Sequence, residues 1–121
     1  MKNSSYSALF ADDLGAIFIF KKIGDIKKKI DNFLESLSNW LSKWRLRMNT
    51  HKCSYTIFSK TGRCNIELAI KLKNELIPYK ADPIFLGIIF DERLNFNKHI
   101  ESLKFRSLKR LNIIKIFSHS K

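Results

Sequence analysis

Residues 7–20 read SALFADDLGAIFIF and place two adjacent carboxylates, Asp12 and Asp13, between two apolar runs. Asp favours turns, so the pattern predicts a strand, a turn at the two aspartates and a second strand. Turn chemistry alone would more often place Gly or Asn beside an Asp. A bound cation would relieve the repulsion between neighbouring carboxylates. An acidic hairpin turn and a metal-binding turn therefore both remain open on the local pattern.

The residues on either side of the aspartates carry strand signals of two kinds. Tyr6, Ala8 and Phe10 alternate with the intervening residues at a period of two, as in a strand with two different faces. The run 14–20 is apolar without alternation, which is typical of a strand covered on both faces.

The length and charge of the chain limit what it can be. Its 121 residues suit one small domain or a piece of a larger one. The apolar content of 45% is too high for a disordered chain. Twenty-three Lys and Arg against eleven Asp and Glu give a formal net charge of +12. This balance indicates a polyanionic partner, either nucleic acid or an acidic membrane surface.

The two cysteines and the first apolar run bear on the cellular compartment. Cys53 and Cys64 form no CxxC pair, and a zinc site beginning at "HKC" would need two further ligands at suitable spacing. We interpret both as free thiols of an intracellular protein, nuclear or cytoplasmic. The run 14–20 is too short to span a bilayer and wrongly flanked for a secretion signal, so the protein is expected not to be secreted.

The strongest periodic signal follows the hairpin and predicts an amphipathic helix. Asp25 is placed to cap its start. At roughly 100° per residue, its apolar positions fall within an arc of about 120°. These positions are Ile26, Ile30, Phe33, Leu34, Leu37, Trp40, Leu41 and Trp44. A stripe this wide, with two Trp, is expected to cover a broad surface such as a sheet.

The rest of the chain predicts further strands and a final helix. The strand candidates are 53–59 (CSYTIFS), 65–72 (NIELAIKL, alternating cleanly), 76–79 after a turn at "KNE", and 84–90 (IFLGIIF) as a buried strand. A helix is expected from about Asn97. The order β β α β β β β α predicts an α+β fold with a largely antiparallel sheet.

Three blocks in this order resemble the reverse transcriptases of non-LTR, jockey-like retrotransposons. "FADD" between two apolar strands is similar to the catalytic [YF]xDD hairpin of that family. "LSNWLSKWRLRMNTHKCSYTIFSK" (37–60) resembles the family's helix and its "L.MN..KC" segment. "IFLGIIFDERLNFNKHI" (84–100) resembles the family's "YLG…D..L.F..HI" stretch at the junction of palm and thumb. The resemblance covers nearly the whole chain.

The resemblance implies an RNA-directed DNA polymerase that performs nucleotidyl transfer with two Mg²⁺ ions. Asp12 would be the essential metal ligand and Asp13 a second one, both catalytic. Lys52 matches a lysine proposed to protonate the leaving pyrophosphate, a general-acid role. Its plain alternative is a solvated lysine. Phe85, Leu86 and Gly87 match the primer-grip turn, where Gly87 would let the backbone approach the primer strand. The plain alternative for Gly87 is a bulge in a buried strand.

The same resemblance gives a use to three basic clusters, KKIGDIKKK (21–29), KWRLR (43–47) and KFRSLKR (104–110). Duplex nucleic acid is held mainly through its phosphates. Lys104, Arg106, Lys109 and Arg110 on the final helix are the candidate phosphate contacts, with a solvated helix face as the alternative. The partners implied for the parent enzyme are an RNA template and a DNA primer. For this chain we expect non-specific nucleic-acid binding and no membrane partner.

The chain is much shorter than the family's polymerase domain, so we expect it to be a fragment. Residues 1–95 would form the C-terminal part of the palm, and 96–121 the beginning of the thumb helix. The segments before the hairpin, the fingers and another palm strand with a catalytic aspartate, have no counterpart here. The fragment alone is therefore expected to be inactive. The alternative function is a catalytically dead, basic nucleic-acid-binding remnant.

Overall fold

The structure is a computed structural model that describes residues 5–60, 66 and 68–118. These residues form two helices, a short 3-10 turn and three two-stranded antiparallel sheets. The elements are β1 (Ser5–Phe10), β2 (Asp13–Phe18), α1 (Ile23–Lys43), the 3-10 turn (Thr50–Lys52), β3 (Lys71–Leu72), β4 (Glu75–Leu76), β5 (Ile84–Phe85), β6 (Ile88–Ile89) and α2 (Asn97–Ser118). The predicted α+β class is confirmed.

The first hairpin forms as predicted, with its turn one residue earlier than expected. Phe10 pairs with Asp13, so the loop consists of Ala11 and Asp12, and Asp13 begins β2. Ala11 has a φ of 52°, and a positive φ at the first loop residue is what two-residue hairpin turns require. The expectation that both aspartates form the turn is therefore wrong by one residue.

The hairpin is more exposed than its apolar sequence predicts. β1 is exposed along its whole length, and Ile17 in β2 is 56% exposed. Strand β2 ends at Phe18, so Ile19 and Phe20 lie outside it. The prediction of a strand covered on both faces over 14–20 is wrong, because the core of the described chain lies against only part of β2.

Helix α1 buries a narrower stripe than its apolar arc predicts. Ile26, Ile30 and Leu41 are buried, whereas Trp40 and Trp44 are 47% and 60% exposed. Asp25 is not the cap: Lys22 precedes the helix without a side-chain cap, and Asp25 lies in the first turn. A carboxylate there still favours the helix through its dipole. The two Trp lack the broad sheet that the sequence led us to expect.

The core of the described residues is small and lies where α1 packs against the segment around Ile70. Ile26 and Ile30 of α1 pack with Ile70. The half-buried side chains around them are Phe18, Phe20, Leu34, Tyr55, Leu68 and Ile77. Phe18 also meets Phe33 edge to face, with 5.4 Å between ring centroids. These contacts fix the first hairpin on α1.

The predicted continuous antiparallel sheet is not present in the described ranges, where the strands form three separate hairpins. Segment 53–59 contributes only an isolated parallel bridge between Tyr55 and Tyr79. The alternation predicted for 65–72 is confirmed from residue 68 onward, since Ile70 and Leu72 are buried and Lys71 is exposed. Residues 61–65, which include Cys64, and residue 67 lie outside the described residues. The "KNE" turn forms at 73–74.

The segment 84–90 is a tight hairpin and not the buried strand that its apolar run predicts. Phe85 pairs with Ile88, and the two-residue turn is Leu86 and Gly87, with φ of 49° and 79°. Positive φ at both loop residues is the type I′ pattern of hairpins. Ile84 is 68% exposed. The Leu-Gly pair therefore reverses the chain in the middle of the apolar run.

Helix α2 begins at Asn97, as predicted, and has no buried residue. Its first turns hold it to the rest of the chain. His99 Nδ1 accepts the N–H of Ile89 at 3.4 Å, and Lys98 forms an ion pair with Asp82. Within the described ranges, neither helix combines the length and the apolar character needed to cross a membrane.

Candidate metal-binding turn and nucleic-acid interface

The two candidate metal ligands lie at the tip of the first hairpin and are both exposed. Asp12 is the second loop residue, and Asp13 is the first residue of β2. The side chains of Asp13 and its partner Phe10 lie on one face of the hairpin, because residues directly opposite in an antiparallel pair share a face. The two carboxylates are therefore neighbours in sequence, but Asp12 belongs to the loop and Asp13 to the strand.

The donor set at this tip is suited to one Mg²⁺ ion and is too small for two. Carboxylate oxygens are the ligands that Mg²⁺ prefers, and one or two of them suffice when phosphates and waters complete the shell. Within the described part of the chain, no group of three or more His, Cys, Asp and Glu side chains could hold a metal ion.

Two other aspartates already have partners in the fold. Asp82 is paired with Lys98. Asp91 accepts backbone N–H groups from Arg93, Asn95 and Phe96. The hydrogen bond from the Asn95 N–H, together with those from Phe96 and Arg93, lowers the pKa of the Asp91 carboxyl below its usual 3.8. Desolvation acts in the opposite direction but is outweighed. Asp91 thus organises the loop that leads into α2.

The candidate primer-grip turn is in contact with the candidate catalytic hairpin. A Cβ placed on Gly15 would lie only 3.0 Å from Cζ of Phe85, so the Phe85 ring lies against the bare backbone at Gly15. Gly15 is two residues after Asp13 and therefore on the same face of β2. The structure brings together two predicted site elements that are about 70 residues apart on the chain.

Gly15 itself was not identified from the sequence. An isolated Gly inside an apolar strand indicates a close approach by another group. That signal was available in "DLGAIF", and it marks the position against which Phe85 packs.

Lys52 is the last residue of the 3-10 turn and is exposed. Its backbone N–H donates to the Asn49 carbonyl at 3.1 Å, and the Asn49 side chain caps the turn through the N–H of His51. Burial raises the pKa of the neighbouring Cys53 thiol, which donates to the Asn49 carbonyl oxygen. The local fold fixes the backbone at Lys52, and the general-acid role of its side chain stays a prediction.

The four candidate phosphate contacts on α2 are exposed but do not share one face. At about 100° per residue, Arg106, Lys109 and Arg110 fall within an arc of about 100°, and Lys104 lies roughly 120° from the nearest of them. Arg106 Nε donates to the Ser102 carbonyl at 3.4 Å, and Lys109 Nζ lies 4.4 Å from the Phe105 ring centroid. Three of the four cations can therefore meet one surface together.

Comparisons with known proteins confirm the resemblance to reverse transcriptases of non-LTR retrotransposons. The chain is 29% identical over 98 residues to an RNA-directed DNA polymerase from the mobile element jockey of Drosophila melanogaster, matching 80% of this chain and 10% of the relative. It is 23% identical over 104 residues to a probable RNA-directed DNA polymerase from transposon BS of the same species, matching 86% of this chain and 12% of that protein. A probable RNA-directed DNA polymerase from transposon X-element is 26% identical over 102 residues.

The matches cover most of this chain and little of each relative. The chain spans about a tenth of the length of the curated relatives it matches. No family model matches the sequence. No solved structure matches it either.

Proposed function

We propose that this chain is part of an RNA-directed DNA polymerase of a mobile element and acts inside the cell. The observation that carries the proposal is the similarity over 80–86% of the chain to polymerases of jockey, BS and X-element. In this proposal residues 1–95 belong to the polymerase palm and 96–121 begin the thumb. Because the chain spans a tenth of those relatives, the catalytic cycle would need further polypeptide.

The proposed role of the first hairpin is to present carboxylates to a divalent metal. Asp12 and Asp13 are exposed at its tip, and Phe85 packs against the strand that carries Asp13. When bound, such an ion would supply charge stabilisation at the transferred phosphoryl group. The contribution of this chain is to fix the backbone at the two aspartates through the hairpin register.

The proposed role of the Phe85–Gly87 turn and of α2 is to hold a primer–template duplex of RNA and DNA. The turn stands out from the surface with Leu86 48% exposed, directly beside the hairpin of Asp13. The basic face of α2 consists of Arg106, Lys109 and Arg110. Phosphate contacts of this kind fix the position of a duplex without reading its sequence.

Titration of a labelled RNA–DNA hybrid at several salt concentrations tests this proposal. We expect binding at low salt that weakens steeply as salt rises, since each phosphate contact releases counterions. A triple variant Arg106→Gln, Lys109→Gln, Arg110→Gln should reduce the slope of log affinity against log salt by about 3. No binding at low salt would refute the proposal.

The matched control is a triple variant on α1, Lys27→Gln, Lys28→Gln, Lys43→Gln, at three exposed positions. Like the α2 variant, it removes three positive charges from the formal +12. We expect it to change the salt slope by less than the α2 variant does. Equal losses would mean that only net charge matters and that α2 is not the contact surface.

A second candidate function is a basic nucleic-acid-binding remnant without catalysis. The observation in its favour is that the described residues contain no group of three or more side chains able to hold a metal. Both candidates bind nucleic acid, and primer extension separates them. Primer extension that requires Asp12 would support the polymerase. If the chain gives no extension even when it is combined with the rest of the polymerase, the remnant is favoured.

A further inference from the structure

A shallow cleft lies between the segment 58–60 and the loop 92–94. Its volume is about 180 Å³, and its lining residues are Phe58, Ser59, Lys60, Glu92, Arg93 and Leu94. The backbone N–H of Ser59 donates to the Glu92 carbonyl at 2.9 Å. This bond joins the two segments that line the cleft. Pockets for drug-sized ligands are larger, roughly 300–1,000 Å³.

One wall of the cleft offers an aromatic ring that is supported from behind. Phe58 is 41% exposed, and its ring centroid lies 6.2 Å from that of Phe90. Phe90 in turn meets Phe96, with 5.8 Å between centroids. Leu94 on the opposite wall is 44% exposed. A flat, uncharged group between Phe58 and Leu94 would therefore meet apolar surface on both sides.

The rim of the cleft carries two cations and one carboxylate. Lys60 and Arg93 are both exposed. The Glu92 carboxylate accepts a hydrogen bond from the Tyr79 hydroxyl, which directs it to a defined partner. The loop that carries Arg93 is held by Asp91, whose carboxylate accepts the Arg93 N–H at 3.0 Å. The cleft thus combines an aromatic ring, an apolar side chain, two positive charges and one carboxylate that accepts a hydrogen bond from Tyr79.

We propose that this cleft binds one unpaired nucleotide of a single-stranded nucleic acid. The base stacks on Phe58 and contacts Leu94, and the flanking phosphates are met by Lys60 and Arg93. Proteins hold single strands by this combination of aromatic stacking and a basic groove, without a preference for sequence. The inference rests on the proposed function, because it assigns a further binding site to a chain that holds nucleic acid.

The test is fluorescence anisotropy of the full chain with a labelled oligothymidylate and, in parallel, with a blunt RNA–DNA hybrid. Phe58→Leu keeps an apolar side chain against Phe90 and removes the ring. We expect it to weaken oligothymidylate binding about fivefold and to leave hybrid binding within about twofold, since stacking serves unpaired bases. Unchanged oligothymidylate affinity would overturn the proposal.

The control variants make the same kinds of substitution at residues outside the cleft. Phe117→Leu deletes a ring that is 75% exposed near the end of α2, and it should leave both affinities unchanged. Lys60→Gln and Arg93→Gln should each weaken oligothymidylate binding more than Lys80→Gln, an exposed lysine that does not line the cleft. Sensitivity to the charges with none to Phe58→Leu would mean that phosphate alone is bound and would overturn the stacked base. Circular dichroism of each variant confirms that it is folded.

The failure of this inference can be told apart from failure of the proposed function. If the variant of the α2 basic face binds the hybrid as the native chain does, the proposed duplex contact is refuted. The effect of Phe58→Leu on oligothymidylate affinity still tests whether the cleft binds an unpaired nucleotide. If Phe58→Leu has no effect while the α2 variant lowers hybrid binding, the cleft proposal alone is refuted.

Discussion

Phe85 lies against the backbone of Gly15, and this contact joins the two hairpins that carry the predicted catalytic and primer-grip residues. An added Cβ at Gly15 would lie 3.0 Å from Cζ, 3.3 Å from Cε2 and 3.4 Å from Cε1 of Phe85. The tip of the Phe85 ring therefore fills the space that a side chain at Gly15 would need. Gly15 is followed by Ala16, whose side chain lies on the other face of β2. The contact therefore depends on the absence of a side chain at one position.

Gly15→Val should destabilise the chain by about 1–3 kcal/mol, because its side chain overlaps the Phe85 ring and overpacking costs this much. Ala16→Val is the matched control, since Ala16 is exposed and Val favours strands. It should change the free energy of unfolding by less than about 0.5 kcal/mol. Urea denaturation followed by circular dichroism measures both.

The double variant Gly15→Val with Phe85→Ala tests whether the Phe85 ring is the cause. Residues in contact show coupling energies of about 0.5–3 kcal/mol in such cycles. We expect the double variant to be more stable than the sum of the two single effects predicts. Additive effects would show that Phe85 does not pack on Gly15 in solution.

Asp91 should make the stability of the loop before α2 depend on acid. Its carboxyl has a pKa lowered from 3.8, so its stabilising contribution is complete above the unfolded-state value. That contribution is lost as the pH falls below about 3.8 and through the lower folded value. Asp91→Asn retains one acceptor oxygen but turns an amide toward an N–H group that needs an acceptor. Thermal unfolding from pH 6 to about pH 2 should show a lower midpoint for the variant at pH 6, with a difference that narrows in acid.

A difference between native chain and Asp91→Asn that stayed constant over this pH range would contradict the role of the Asp91 charge. Asp82 is an internal control for the same experiment. Its ion pair with Lys98 is partly solvent-exposed, and surface pairs of this kind contribute at most about 1 kcal/mol. Asp82→Asn should therefore change the acid profile less.

Single charges on α2 should act unequally on duplex binding. Arg110 lies within the arc shared with Arg106 and Lys109, so Arg110→Gln should lower the slope of log affinity against log salt by about 1. Lys104→Gln lies outside that arc and should leave the slope nearly unchanged. Anisotropy with an RNA–DNA hybrid at several salt concentrations compares the two variants. Equal slopes for both would mean that the duplex wraps around the helix or does not contact this face.

The features that the sequence predicted correctly are those set by near neighbours on the chain. Helix α1 follows from a 3.6-residue period, and the first hairpin and the turn at 73–74 follow from turn residues between apolar runs. The one-residue error at Asp13 came from assigning both aspartates to the turn, whereas Ala11 adopts the positive φ. Local chemistry does not decide such a register when a non-Gly residue takes that conformation.

The features that the sequence did not predict depend on contacts between distant segments. The run 84–90 is uniformly apolar, and only Gly87 indicated that it turns back on itself. Trp40 and Trp44 suggested a broad covered surface, but burial of a stripe needs a partner element, and these two side chains remain exposed. The packing of Phe85 on Gly15 joins segments with no common pattern, so no periodicity could have revealed it.

This chain alone should not extend a primer. A two-metal site needs enough fixed carboxylates to hold both ions about 4 Å apart, and the described residues contain no group of three or more suitable side chains. Asp82 is paired with Lys98 and Asp91 accepts three backbone N–H groups, so neither is available beside Asp12 and Asp13. Positioning supplies much of the rate of phosphoryl transfer, and it requires a complete site.

The measurement is primer extension on an RNA template with Mg²⁺ or Mn²⁺, comparing the native chain with Asp12→Ala and Asp13→Ala. We expect no product from any of the three. Hybrid binding by both variants should equal or slightly exceed that of the native chain, because each loses one negative charge near the duplex. That binding control confirms that the variants are folded and engage the substrate. Extension by the native chain that disappears in Asp12→Ala would overturn the expectation. It would mean that a further carboxylate completes the metal site around Asp12.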